Sequence, residues 1–232
     1  MTNRRDEADP AAVAREIDRR IRALPVRNAA SVSEVRAACS KRLAPCSGEF
    51  VLAVARSLVH EHGHRGWVSY DLVRRHRAAF ARLDRPALED LGRGIDSWGA
   101  TDSFARQLAG PAWVRGRIAL DDVLAWAGSP DRWWRRAALV ATVGLNSRTS
   151  GGTGDAPRTL AVCRTLIDDR DDMVVKAISW ALRELIAFDR EAVVGFLADH
   201  EDRLPARVKR EVRNKLETGL KTPRRRSRPP AG

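Results

Sequence analysis

His60, Glu61 and His64 spell H-E-x-x-H. On one helix the two imidazoles would lie a turn apart on the same face, as zinc requires, with Glu61 placed to activate a bound water. The surroundings argue against that use. Gly63 and Gly66 signal the end of a helix, and Trp67 and Tyr70 stand where the extended motif needs Gly and His. Glu89 is left as the candidate for a further ligand. A solvated helix terminus with an incidental His cluster is the better reading, and a zinc metallopeptidase the weaker one. A second constellation is more persuasive. In DSWGATDSF, Trp98 and Asp102 stand four residues apart and so share one face of a helix. SPDRWWRRAALV sets Trp133 and Trp134 directly before Arg135 and Arg136, and KAISWALREL carries Trp180 between Lys176 and Arg183. Guanidinium groups in such strings suit phosphate, which they meet bidentately. Singly, each Trp is a core residue and each Arg a surface charge. The grouping of Trp with Arg, in a chain with seven Trp and one Tyr, is what marks them.

These residues need helices, and the helical period runs from one end of the chain to the other. Asp9 is a good N-cap, Pro10 suits the first turn, and Val13, Ile17, Ile21 and Leu24 fall on one stripe. Ser31 and Glu34 have capping-box spacing ahead of Val35, Cys39 and Leu43. Further helices are expected near 48–62, 66–80, 86–97, 99–109, 119–127, 130–144, 157–169, 172–187, 189–199 and 205–219. No stretch reads convincingly as a strand. DRWWRRAALV and DDMVVKAISW align at an offset of 40, superposing Asp131 on Asp171, Arg136 on Lys176 and Ala137 on Ala177. That offset is the period of HEAT-like helix pairs. The expected fold is all-α, an α-solenoid of about six helix pairs whose curvature creates a concave basic cleft able to hold a rod-like ligand. NSRTSGGTGDAP reads as a flexible connection, because it lacks the Lys-Ser/Thr ending of a phosphate-binding loop.

Composition narrows the partners. The 232 residues carry 42 Lys and Arg against 30 Asp and Glu, a formal net charge of +12, and only five of the basic residues are Lys. Five of those positive charges stand in the Pro-rich KTPRRRSRPPAG. The chain thus divides into a folded domain over 1–220 and a disordered basic arm over 221–232. A surplus of this sign points to a polyanion, with nucleic acid the leading class. With 44% hydrophobic residues the chain folds, and no apolar run approaches the 18 residues of a membrane span. The N-terminus lacks an apolar signal region, so the cytoplasm, in association with the nucleoid, is the expected setting. Cys39, Cys46 and Cys163 contain no C-x-x-C pair and suggest neither a disulfide framework nor a thiolate metal site.

The strings together carry a resemblance. From about residue 15 to 216 the sequence resembles the HEAT-like-repeat alkylpurine DNA glycosylases, the AlkD-type DNA alkylation repair proteins. SWGATDSF matches that family's S-W-W-D-x-V-D-type segment, WWRRAALV its active-site Arg segment, and KAISWALRE its K-A-I-x-W-x-L-R-E segment. The resemblance implies Asp102 as the catalytic carboxylate, Trp98, Arg136 and Trp180 as cleft residues, and Arg135, Lys176 and Arg183 as contacts to the DNA backbone. It implies a monomeric, monofunctional hydrolase without metal or cofactor, whose partner is double-stranded DNA containing alkylated purines. Gly99 and Ala100 replace the second Trp that the family often shows, Met173 replaces an aromatic residue, and no Tyr stands near Arg27 to Ser33. These departures bear on lesion preference more than on chemistry.

The implied reaction suits a single carboxylate. An N3- or N7-alkylated purine is cationic and already a good leaving group, so no general acid is required. Asp102 would stabilise the oxocarbenium-like sugar and deliver water, unlike the two-carboxylate arrangement of ordinary glycosidases. Trp98 and Trp180 would hold the cationic nucleotide, and Arg136 would clamp a neighbouring phosphate. Backbone engagement without a deep base pocket fits a solenoid, which offers a cleft. The rival from another class is a non-catalytic HEAT-like module that binds DNA or RNA structure.

Overall fold

A computed structural model describes residues 9–66 and 68–223. Every regular element among them is helical. The order is α1 Pro10–Arg22, α2 Ala29–Leu43, α3 Gly48–His60, α4 Ser69–Arg75, α5 Arg77–Phe80, α6 Arg85–Gly92 and α7 Trp98–Phe104, then a π-turn over Ala105–Ala109 and α8 Gly110–Val114. There follow α9 Leu120–Ala127, α10 Arg132–Leu145, a 3-10 turn over Arg148–Ser150, α11 Ala156–Thr165, α12 Asp172–Leu185, α13 Arg190–Asp199 and α14 Ala206–Thr218. No described helix is long and apolar enough to cross a membrane.

Side-chain caps fix where the helices begin. Asp9 accepts hydrogen bonds from the N–H groups of Ala11 and Ala12, with Pro10 in the first turn. Asp131 and Asp171 cap α10 and α12 in the same way, each accepting from the N–H two residues on, at Trp133 and Met173. The 40-residue offset seen in the sequence is therefore a repeat of helix starts.

From α9 onward the helices alternate between two rows. α10 packs on α12 and α12 on α14, while α9 touches α11, and α11 and α13 lie against α12. The π-turn and α8 join the first row through α10, and the π-turn also meets α4. This stacking of packed helices, each touching mainly its neighbours, is an α-solenoid. The buried apolar side chains form one cluster from Val13 to Val212. Arginines of one repeat reach the acids that open the next, as Arg135 does to Asp169 at 2.7 Å and Arg132 to Asp171 at 3.4 Å.

Three local expectations change. α2 is opened by Asn28 with Ser31, each side chain bonding the other's N–H, and not by Ser31 with Glu34. The single helix expected over 66–80 breaks at His76, whose extended backbone lets its Nδ1 accept from the N–H of Ala79 and start α5. The helix expected to end at 109 continues to Val114 through the π-turn. Pro111 has no N–H for the carbonyl of Gln107, and Gly110 donates instead to Ala105, five residues back. Trp67 and, from residue 224, the arm expected over 221–232 lie outside the described residues.

Candidate active site

Trp98 and Asp102 occupy α7, whose start is fixed by Ser97 accepting from the N–H of Ala100 at 3.4 Å. The helix is anchored from behind by Phe104. That ring is fully buried and meets Tyr70, Trp126 and Trp134 edge-on, at 5.9, 6.3 and 5.6 Å between centroids. Trp134 thus packs one side on the core while the rest of it lines a groove with Trp126, Glu89 and Arg93. Trp98 instead has 62% of its surface exposed. Leaving so much indole in water forgoes on the order of 3 kcal/mol of burial.

Arg136 on α10 meets Asp102 face to face. Its Nε donates to Oδ1 and its Nη2 to Oδ2, both at 2.8 Å, and its Nη1 donates to the Met173 carbonyl at 2.6 Å. Such a fork fixes a carboxylate in plane and orientation. The sequence assigns Arg136 to a phosphate. The structure instead commits the guanidinium to Asp102 and the first turn of α12, and leaves the residue 6% exposed. Asp102 is more open, at 17% of its side chain, so the carboxylate and not the cation faces outward. α8 and α10 are held at close range by Gly110 and Gly144, where a methyl group on Gly144 would stand 2.8 Å from the Gly110 Cα.

Trp180 lies on α12, half-buried, its indole N–H donated to Glu184 at 3.0 Å. The guanidinium of Arg106 covers its ring, 5.8 Å from the centroid. Arg106 and Glu184 escaped the sequence reading. The signal was present in both cases, since each stands four residues from a site residue, after Asp102 and Trp180 respectively.

The three arginine and lysine positions predicted for DNA backbone are occupied by protein partners. Arg135 donates to Asp169 and to the carbonyls of Ser129 and Pro130. Lys176 pairs with Asp172 at 2.6 Å. Arg183 donates to Ser179 at 3.2 Å, and its burial draws its pKa down against the pull of Glu211 and Glu184.

The H-E-x-x-H string does not form one helical face. α3 ends at His60, and the chain turns so that His64 meets Asp18 at 2.8 Å while His60 meets Asp90 at 3.3 Å. The described residues contain no group of three His, Cys, Asp or Glu side chains able to hold a metal.

Fold and site together define a class: a helical-repeat protein presenting one arginine-braced carboxylate beside exposed indole. Residues 13–216 match the model of the DNA alkylation repair enzyme family, and the chain belongs to that family. Its activity therefore lies in alkylation repair, with DNA as partner. No curated protein and no solved structure gives a significant match.

Proposed function

We propose that the chain is a DNA glycosylase that hydrolyses the N-glycosidic bond of cationic N3- and N7-alkylpurines in duplex DNA. The observation that carries this reading is the Asp102 carboxylate, held by both oxygens on Arg136 yet still partly open to solvent, one helical turn from the exposed Trp98. Glycosidic cleavage of such a nucleotide sends the bonding electrons to the base, whose ring charge they neutralise. Positive charge moves to the sugar, and a water must then attack its anomeric carbon. A carboxylate about 4 Å from that charge is worth about 4 kcal/mol at an effective dielectric of 20, and a guanidinium about 4 Å behind it takes back about 2. The net of about 2 kcal/mol accelerates the step about 30-fold. The lone pairs of Asp102 not used by Arg136 can orient the water and accept its proton.

The remaining parts suit the same substrate. Trp98 offers an open ring face, and Trp180 already carries a cation on its face. Each such contact supplies on the order of 1 kcal/mol toward a cationic base that a neutral purine does not receive. Selection then follows the chemistry of the damage, with no need for a deep pocket.

The test is release of 7-methylguanine and 3-methyladenine from methylated duplex DNA by the purified protein. Release is expected. Binding to the duplex without release of either base would instead make the chain a non-catalytic DNA-binding member of its fold.

A further inference from the structure

In the free protein Arg136, which the sequence assigns to a phosphate, is directed at Asp102 and the Met173 carbonyl. Nε, Nη1 and Nη2 of that residue are all engaged, and the side chain is buried. Arg135 and Lys176 are neutralised by Asp169 and Asp172. A DNA strand approaching Asp102 therefore needs another cation to offset its phosphates.

We infer that Arg106 is that cation: a DNA-backbone contact one helical turn beyond Asp102, held in the free protein on the face of Trp180. Four observations support it. Arg106 is exposed, and it follows Asp102 by four residues, which brings it to the same side of the helix. It sits in the π-turn forced by Pro111, so its place on that side is set by backbone geometry and not by a flexible loop. Among the described residues no carboxylate, carbonyl or hydroxyl accepts from its side chain, which lies over the Trp180 ring at 5.8 Å. A cation–π contact at an exposed site is worth only about 0.5–1 kcal/mol, so the guanidinium leaves the ring easily for a phosphate.

The exchange has a chemical logic, and it rests on the glycosylase reading for its second half. The face of Trp180 is a place for one cation. On any duplex the phosphate draws Arg106 off the ring, because a phosphate holds a guanidinium more strongly than a ring does. The face of Trp180 is then open, and a positively charged purine gains more from it than a neutral base does.

The experiment measures binding of the full chain to an undamaged duplex between 50 and 200 mM salt, for wild type, Arg106→Ala and Arg106→Lys. Replacing the residue with Ala should lower the slope of log affinity against log salt by about 0.9, so that affinity falls about threefold less over that range. Lys, which keeps the charge, should restore the slope. A wild-type slope in Arg106→Ala, in protein with an unchanged melting temperature, overturns the inference; so does a Lys variant that behaves as the Ala variant. Undamaged DNA is the probe, so the slope reports on Arg106 whether or not the chain excises bases. A lowered slope together with no release from methylated DNA would remove the glycosylase reading and leave the backbone contact standing.

Discussion

Gly110 and Gly144 touch backbone to backbone eight residues downstream of Asp102 and Arg136 respectively. The two contacts thus share one register, and together they pin α7 and α8, on either side of the π-turn, to α10 at two points just over two helical turns apart. At the glycine end the gap is too small for a side chain: an added Cβ on either residue would fall under 3.0 Å from backbone atoms of the other helix. At the other end the gap is filled by a carboxylate and a guanidinium at hydrogen-bond distance. The close approach of the glycines is what brings a short Asp side chain within reach of Arg136.

Gly144→Ala should test that linkage. Ala favours a helix over Gly by about 1 kcal/mol, but the methyl group would overlap Gly110, and overpacking of this kind costs about 1–3 kcal/mol. The clash should win, giving a lower melting temperature. Base release should fall further than stability alone explains, because the Asp102–Arg136 geometry depends on the same helix spacing. A variant as stable and active as wild type would show that the glycine contact positions nothing.

Chelation should leave the protein unchanged. His60 is tied to Asp90, and His62 and His64 to Asp18, so the imidazoles of the H-E-x-x-H string face different carboxylates. Incubation with EDTA should therefore leave the melting temperature in place, and elemental analysis should find no stoichiometric zinc. One zinc per chain, lost in His60→Ala, would restore the metallopeptidase reading.

Asp18 makes an acid-side prediction. Burial alone would raise its pKa, but hydrogen bonds from Arg22 and His64 outweigh burial and hold it below the ordinary value of 3.8. The unfolded chain therefore takes up this proton at higher pH than the folded one. The stability contributed by Asp18 is full above pH 3.8 and is lost as pH falls below it through the folded pKa. Asp18→Asn should be less stable than wild type at neutral pH, with the difference shrinking in acid denaturation monitored below pH 4. A difference that stays constant down to pH 2 would contradict the assignment.

Most of the helices were legible because their signals are local. Asp9 with Pro10, and Asp131 and Asp171 ahead of their apolar stripes, announce helix starts by side-chain chemistry that acts within three residues. What escaped were features set by competition or by tertiary contact. His76 breaks a helix because its ring caps the next one, a use no periodicity reveals. Pro111 was visible, yet its effect is a π-turn and not a helix end, because α10 holds the helix on both sides of it. Trp133, Trp134 and Trp180 look alike in sequence and are all half-buried, and only their neighbours separate them: the rings of Phe104 and Trp126 beside Trp134, and the Arg106 guanidinium over Trp180. Arg136 was read from its string as a phosphate clamp, and its pairing with Asp102 could not be read there because the direction of its charge depends on α12 supplying the Met173 carbonyl.

The ion pair itself separates structure from chemistry. Arg136→Ala removes a buried guanidinium with three hydrogen bonds and leaves the carboxylate unbraced, a loss of about 3–5 kcal/mol. Asp102→Asn keeps an acceptor for the fork and should cost about 1–2 kcal/mol. The double variant should be less destabilised than the two losses added together, because each single change leaves the other partner unmatched. Base release should follow the opposite order of importance. Asp102→Asn removes the charge that stabilises the sugar and leaves the Arg136 cation opposing it, a loss of about 4 kcal/mol that should lower release about a thousandfold while duplex binding stays close to wild type. Arg136→Ala should lower release through lost positioning, and its salt slope for duplex binding should match wild type, since a cation that reaches no phosphate displaces no counterions. Single-turnover release and salt-dependent binding on the same three variants read both effects. Retained release in Asp102→Asn would remove that carboxylate from the reaction, and a reduced slope in Arg136→Ala would return Arg136 to the phosphate.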